Sequence, residues 1–180
     1  MLASSSPQRR AILDRLGVSF TVRRTDAPER ERGDPGEVAA ANALRKARAA
    51  RIPGVHELVL GCDTLVALDG VIYGKPGDER AARESLAALS GATHEVLSGV
   101  ALLVGSEERT ALARTAVTFR PLDRHLLDWY VATGEWRGRA GGYAIQGAGA
   151  ALVRAVEGEY ENVVGLPLAT LLDICPQLLG

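Results

Sequence analysis

Residues 57–77, with the sequence ELVLGCDTLVALDGVIYGKPG, give the clearest indication of the fold. The apolar run near their start predicts a strand, Asp69-Gly70 predicts a tight turn, and the short apolar segment after the turn predicts a return strand. Asp63 interrupts the apolar run, and a carboxylate there is costly unless it is paired, binds a metal or faces a cleft. A hydroxyl residue follows Asp63, and the hairpin brings Lys75 near it. A functional role for Asp63 is therefore favoured over the alternative, in which it is a buried aspartate that accepts hydrogen bonds from backbone amides.

The rest of the chain alternates predicted helices with predicted strands. A capping residue followed by proline indicates helix starts at Ser6-Pro7 and Asp34-Pro35. Further helices are predicted after Asp78, at Leu122–Thr133 and after Pro167. The predicted strands, besides the hairpin, are Val18–Arg23, Glu95–Val104, Arg109–Phe119 and Ala151–Val156. This mixture of crossovers and hairpins predicts an α/β fold with a mixed sheet, in one domain that spans residues 1–180.

Composition excludes several classes of protein. Of the 180 residues, 47% are hydrophobic and 24% are charged, so the chain is neither disordered nor collagen-like. No apolar run approaches the ~20 residues of a membrane span, and no signal peptide is recognisable at the start. The two cysteines, Cys62 and Cys175, cannot form a disulfide framework, which indicates a reducing cytoplasm. A net charge of −1 argues against bulk binding to nucleic acid or to anionic lipid.

Arginine greatly outnumbers lysine among the basic residues. Among 21 lysines and arginines, only Lys46 and Lys75 are lysines. Where the composition favours arginine, a position that remains lysine is a candidate for a compact, flexible ammonium group. Both residues are therefore candidates for binding an anionic ligand.

The segment SSSPQRR at residues 4–10 predicts a second candidate site. Short hydroxyl residues before a helix, with Arg9 and Arg10 on its first turns, can form a phosphate cradle. Taken alone, however, the segment is better explained as a capped helix with solvated arginines. Residues 69–77 lack the glycine and the hydroxyl of a phosphate-binding P-loop, and the three histidines stand apart without metal-ligand spacing. The carboxylates of Glu29 and Asp63 would suit a hard cation such as Mg²⁺ shared with substrate phosphates.

Five segments in the same order resemble the Maf family of nucleoside triphosphate pyrophosphatases. LASSSPQRRAILDRLG resembles the family's opening motif, ALRKARA its lysine-bearing helix, and VLGCDTLVALDGVIYGKP its GADT…GKP block. LAALSGATHEVLSGVAL and RAGGYAIQGAGAALVRAVEGEYENVVGLPL resemble its two remaining signatures. The resemblance implies a mixed, largely antiparallel sheet flanked by helices, with two lobes around a cleft. It also implies hydrolysis of a nucleoside triphosphate to the monophosphate and pyrophosphate, with Mg²⁺ or Mn²⁺.

The family motifs assign roles by position. Asp63 matches the catalytic aspartate that accepts a proton from the attacking water, and Glu29 matches a loop glutamate which, with Asp63, is linked to the metal. The residues that match phosphate-binding positions are Ser4, Ser6, Arg9, Lys46 and Lys75. Only two residues agree with the branch that acts on dTTP and UTP, namely Thr64 and Gln146, since Gln8 replaces that branch's arginine. The resemblance therefore implies pyrimidine or broader triphosphate use.

Two other activities are compatible with the same motifs. One is a nucleotide-binding regulator of cell division with little turnover, and the other is a phosphatase that releases single phosphates. The resemblance further implies a cytoplasmic homodimer that acts in nucleotide-pool housekeeping. Only Met1-Leu2 precede the Ala-Ser of the opening motif, so we expect either a short first strand or a truncated start.

Overall fold

A six-stranded mixed sheet organises the chain in a computed structural model, which describes residues 1–179. The strands are β1 (Leu2–Ala3), β2 (Val59–Leu68), β3 (Val71–Tyr73), β4 (Thr93–Val104), β5 (Glu107–Phe119) and β6 (Val153–Glu157). The helices are α1 (Pro7–Arg15), α2 (Pro35–Ala50), α3 (Glu79–Leu89), α4 (Arg124–Thr133), α5 (Tyr160–Val164) and α6 (Leu168–Ile174). Short 3₁₀ turns occupy Ala140–Gly142, Ala148–Leu152 and Pro176–Leu179.

The strand order is β1-β2-β4-β5-β6, and β3 pairs with β2 outside this path. Only β1 and β2 run parallel; β3, β4, β5 and β6 pair antiparallel with their neighbours. The expected mixed, largely antiparallel sheet is therefore confirmed. The hairpin is also confirmed, because Asp69 and Gly70 both adopt positive φ, as a tight turn between twisted strands requires.

One edge of β2 is left open in the middle of the strand. On this edge β1 pairs only with Leu60 and Gly61, whereas β3 pairs only from Val66 onward. The intervening residues, 62–65, have a strand partner only on their other side, in β4. Since successive side chains of a strand point to opposite faces, side chains from both faces can reach a cleft at this open edge.

Helices cover both faces of the sheet. On one face α2 packs through Ala43 and Ala47 against Val59, Ala101 and Leu103. The other face carries two larger apolar clusters, one formed with α1 and α6 and one formed with α3 and α4. Glycines make the close approach of α2 feasible, because a Cβ at Gly61 would lie 2.3 Å from the Ala43 carbonyl oxygen.

Most of the predicted helix starts agree with the structure. Ser6, Asp34 and Asp78 each accept a backbone N–H bond as N-caps of α1, α2 and α3. The predicted strand at Val18–Arg23 is wrong: only Val22 forms a bridge, to Leu2, since β1 is two residues long and offers no more backbone to pair with. Helix α5 was not predicted, because its five residues are too few for a recognisable apolar period.

None of the helices within residues 1–179 is long and apolar enough to cross a bilayer.

Candidate active site

A cleft of about 360 Å³ opens at the unpaired edge of β2. Arg10, a candidate for the phosphate cradle, is exposed and does not line it. The ten residues to which the family motifs assign a site role all do. They are Ser4, Ser6, Gln8, Arg9, Glu29, Lys46, Asp63, Thr64, Lys75 and Gln146. They come from the start of α1, the loop before α2, α2 itself, β2, the segment after β3 and the turns near residue 146, so the fold brings together segments that are far apart in the chain.

Asp63 lies on the α2 face of β2 and is only 5% exposed. Its Oδ1 accepts a bond from Lys46 Nζ at 2.6 Å, and its Oδ2 accepts a bond from Asn42 Nδ2 at 3.0 Å. Asn42 and Lys46 are one helical turn apart on α2, so both side chains emerge from the same face of that helix. The alternative of a carboxylate satisfied by backbone amides is thus not what the structure shows, because side chains of α2 fill that role.

Glu29 meets the same ammonium group from the loop that precedes α2. Lys46 Nζ lies 2.7 Å from Glu29 Oε1, so one ammonium nitrogen bridges Glu29 and Asp63. The Glu29 side chain is 44% exposed and lies at the mouth of the cleft. Two carboxylates thus converge on one cation.

This pair of carboxylates fits a Mg²⁺ or Mn²⁺ ion that shares its coordination with a phosphate ligand. Hard cations of this kind take oxygen ligands, and Mg²⁺ in particular is held by one or two carboxylates together with substrate phosphates. Within residues 1–179 no group of three or more His, Cys, Asp or Glu side chains is placed to hold a metal ion by itself.

Arg9 is nearly buried and its guanidinium is fixed by three different partners. Nε donates to the Gly165 carbonyl at 2.8 Å, and the two terminal nitrogens donate to Ser4 Oγ at 3.0 Å and Thr64 Oγ1 at 3.1 Å. Thr64 in turn shares a 2.8 Å bond with Ser98. Since arginine has five N–H donors, each terminal nitrogen keeps one for a ligand in the cleft. Arg9 is thus preorganised to grip an oxyanion.

The start of α1 also faces the cleft. Ser6 caps the helix by accepting a 3.4 Å bond from the Arg9 amide, and its hydroxyl donates to Gln8 Oε1 at 3.1 Å. In this first turn Pro7 has no N–H and the Arg9 N–H is used by the cap, so the Gln8 N–H remains available to an anion. With its oxygen engaged, Gln8 presents its amide N–H groups to a ligand.

Residues within 137–146 line the cleft beside the segment of Lys75, and this wall carries cationic groups that the sequence analysis missed. Arg137 and Arg139 line the cleft there together with the predicted Lys75. The Arg137 guanidinium lies 4.5 Å from the centre of the Trp136 ring, and Arg139 Nε is buried without a hydrogen-bond partner within residues 1–179. The available signal was the motif of Gln146, which begins at Arg139 and starts two residues after Arg137, although solvated arginines are common in this chain.

A buried aromatic group supports this wall. Tyr143 lines the cleft, and its hydroxyl shares a 2.9 Å bond with His94 Nε2. Burial lowers the pKa of His94 to about 4 and raises that of Tyr143 above its usual range, so both side chains are neutral near pH 7. His94 is therefore a packing residue, as its isolation in the sequence indicated.

Cys62 lies next to Asp63 but does not line the cleft. Burial raises the pKa of its thiol, and Sγ lies 3.5 Å from the Gly165 carbonyl that also binds Arg9. It is a packed strand residue and not an activated nucleophile.

The charges of the cleft favour a polyanion. Five cationic side chains line it, from Arg9, Lys46, Lys75, Arg137 and Arg139, against the two carboxylates of Glu29 and Asp63. This excess of positive charge complements a triphosphate. The arrangement can therefore bind a phosphorylated ligand and place a buried carboxylate beside it.

Comparisons with known proteins agree with this geometry. The family described as Maf-like protein matches residues 1–178. A protein of Symbiobacterium thermophilum named dTTP/UTP pyrophosphatase is 45% identical over 179 residues, which cover 98% of this chain and 92% of the relative. Proteins of the same name from an Anaeromyxobacter species and from Pyrococcus furiosus are 49% and 41% identical, and the matches cover 86% and 92% of those relatives and 97% of this chain.

Proposed function

This chain belongs to the Maf family, and we propose that it hydrolyses nucleoside triphosphates to the monophosphate and pyrophosphate, with pyrimidine nucleotides as the preferred substrates. The observation that carries the proposal is the bridge at Lys46, whose ammonium joins Asp63 and Glu29 inside a cleft with excess positive charge. Relatives named dTTP/UTP pyrophosphatase, similar over nearly their whole length, support the substrate class.

The cationic residues and the start of α1 bind the triphosphate. Arg9 offers its two remaining N–H donors to phosphate oxygens, and Ser4 and Ser6 hold its side chain and the helix start in place. Lys75 and Arg137 add positive charge from the part of the cleft wall that they line. Preorganised positive charge of this kind stabilises the negative charge that develops on the departing pyrophosphate.

Asp63 acts on the attacking water. A water oxygen attacks the α-phosphorus, the bond from that phosphorus to the bridging oxygen of the β-phosphate breaks, and pyrophosphate departs with the bond's electron pair. The carboxylate of Asp63 orients this water and accepts its proton. Asp63 and Glu29 would hold the divalent cation, which supplies charge neutralisation on the phosphates when it is bound.

Three residues contact the nucleotide portion that distinguishes substrates. Thr64 and Gln146 match the branch that acts on dTTP and UTP, and Gln8 supplies a neutral amide where that branch has arginine. Loss of one guanidinium reduces the charge near the base, so discrimination among pyrimidines is weaker than in that branch. We expect the protein to act in the cytoplasm, as a homodimer, in housekeeping of the nucleotide pool.

The test is turnover of a panel of dTTP, UTP, CTP and 7-methyl-GTP with Mg²⁺ or Mn²⁺, with the products identified. We expect monophosphate plus pyrophosphate from dTTP and UTP. Asp63→Asn is expected to lower kcat by about 10²–10⁴-fold, the usual contribution of a positioned general base. Asp173→Asn, an exposed aspartate on α6 outside the cleft, is the matched control and is expected to retain wild-type kcat.

Other outcomes would contradict the proposal in different ways. Release of single phosphates would change the reaction class. Tight nucleotide binding without turnover under either metal would favour the regulatory alternative. A clear preference for 7-methyl-GTP would overturn the pyrimidine assignment.

A further inference from the structure

Asn42 is a buried polar residue to which neither the sequence motifs nor the proposed chemistry assign a role. It lies on α2 one turn before Lys46 and is 1% exposed. Both N–H donors of its carboxamide are used, and its oxygen accepts one bond. Nδ2 donates to Asp63 Oδ2 and to the Arg30 carbonyl, both at 3.0 Å, and Oδ1 accepts from the Arg30 amide at 2.7 Å. One side chain thus bonds both to the candidate catalytic carboxylate and to a loop.

The two bonds to Arg30 fix the loop that carries Glu29. Residues 24–34 contain no helix or strand, so little regular structure holds them. The Asn42 carboxamide pairs with both backbone groups of Arg30, in the manner of a strand partner, and Arg45 adds a 3.4 Å contact to the Pro28 carbonyl. Because Glu29 precedes Arg30 directly, this pairing sets where the Glu29 carboxylate meets Lys46.

The bond to Asp63 fixes the plane of its carboxylate. Lys46 alone contacts Oδ1, and a single contact leaves the carboxylate free to rotate about its Cβ–Cγ bond. Asn42 engages Oδ2, so the two α2 side chains together determine the direction of both oxygens. Asp63 can accept the proton of the attacking water only if its carboxylate points at that water. A misplacement of about 1 Å costs on the order of 10²-fold in rate.

We propose that Asn42 is a positioning residue that holds Asp63 and the Glu29 loop in one arrangement. It contacts neither the substrate nor the reacting atoms, and it acts through these two residues. The proposal rests on the proposed function, because its catalytic consequence requires that Asp63 serve the reaction.

Two variants test the proposal. Asn42→Leu keeps the branching and the number of heavy atoms of the side chain and removes all three bonds. Asn42→Asp is isosteric and keeps an acceptor for the Arg30 amide, but in place of the N–H donor it sets a second carboxylate oxygen against Asp63, which repels it. Both are expected to lower kcat for dTTP by about 100-fold while KM changes less than about threefold, because the phosphate-binding residues are untouched. The matched control is Asn162→Leu, which removes the other asparagine, also buried, from its bonds to Val96 and Thr115.

A second readout follows the loop and does not depend on turnover. Arg24, Arg30 and Arg32 are exposed trypsin sites within residues 24–34, and release of the loop from α2 lets the backbone around them enter the protease more readily. Asn42→Leu is expected to be cut there several times faster than the wild type, and Asn42→Asp less so, since one bond to Arg30 remains. Asn162→Leu is expected to lower the melting temperature without faster cleavage in this loop or a selective loss of kcat.

The outcomes separate this inference from the function on which it rests. Folded Asn42 variants with wild-type kcat, or with unchanged loop cleavage, would overturn the positioning role while the proposed function stands. The positioning role would also be overturned if an Asn42 variant lost no more kcat than an Asn162→Leu protein of the same stability. A wild-type protein that hydrolyses no triphosphate would overturn both.

Discussion

Lys46 shows at the scale of one residue why a chain so rich in arginine keeps a lysine. Its Nζ lies 2.6 Å from Asp63 and 2.7 Å from Glu29, so both carboxylates share one nitrogen atom. A compact ammonium suits this point, whereas a planar guanidinium would spread its donors over a wider fork and push the carboxylates apart. Lys75 lies exposed at the cleft edge and has no such geometric demand.

We therefore expect the two lysines to differ in their tolerance of arginine. Lys46→Arg keeps the charge but is expected to lower kcat/KM for dTTP by about tenfold or more, equivalent to ~1.4 kcal/mol of transition-state stabilisation. Lys75→Arg, the control, is expected to stay within about threefold of the wild type. Steady-state kinetics on both variants measures this difference, and equal activity of the two would show that charge alone matters at Lys46.

At the scale of elements, the site depends on how closely α2 lies on the sheet. Gly99 of β4 is directly opposite Asp63 in register, and a Cβ there would lie 2.3 Å from the Ala39 carbonyl oxygen of α2. Gly61, two residues before Asp63, meets α2 in the same way. Because Gly61 and Gly99 have no side chains, α2 lies close enough to the sheet for Asn42 and Lys46 to bond to Asp63.

A single methyl group at this contact is expected to disturb both stability and activity. Gly99→Ala forces α2 away from the sheet and is expected to lower the free energy of unfolding by about 1–3 kcal/mol or more, as overpacking does. It is also expected to reduce kcat. Gly77→Ala, where an added Cβ has no neighbour within 4 Å, is the control. Urea denaturation and turnover would measure both effects, and a Gly99→Ala protein with unchanged stability would contradict the close packing.

At the scale of the whole molecule, the cleft lies beside a hydrophobic cluster that also holds a buried histidine. His94 is 1% exposed, and its ring packs edge-on against Phe119 and Tyr143. Burial lowers its pKa from 6.5 to about 4. Tyr143 packs in this cluster and also lines the cleft. The position of its side chain in the cleft wall therefore depends on the packing of the core.

The lowered pKa predicts a specific acid sensitivity. Between pH 6.5 and 4 the unfolded chain protonates His94 and the folded chain does not, so the stability contributed by the neutral ring is lost as the pH falls through this window. From pH 7 to pH 5 the loss from this residue is expected to be about 2 kcal/mol. His94→Gln is expected to show a correspondingly smaller drop in the free energy of unfolding, whereas the exposed His125→Gln keeps the wild-type drop. Urea titrations at the two pH values measure this, and equal drops in all three proteins would refute it.

The sequence by itself determined the local structure, the sheet type and the set of motif residues around the cleft. Helix caps at Ser6 and Asp34 and the turn at Asp69-Gly70 were predictable because they depend on neighbouring residues and on backbone geometry. The strand predicted at Val18–Arg23 failed because a strand needs a partner, and only a long-range contact supplies or withholds one.

Only the tertiary structure decided how the site is held together. Asn42 and the Glu29 loop meet Asp63 across 21 and 34 residues of chain, and no local pattern encodes such contacts. Arg137 and Arg139 look like ordinary surface arginines until the fold turns them toward the cleft. The motifs thus specified which chemical groups are present, while the open edge of β2 and the close packing of α2 determined their distances and directions, because those arise from packing between distant segments.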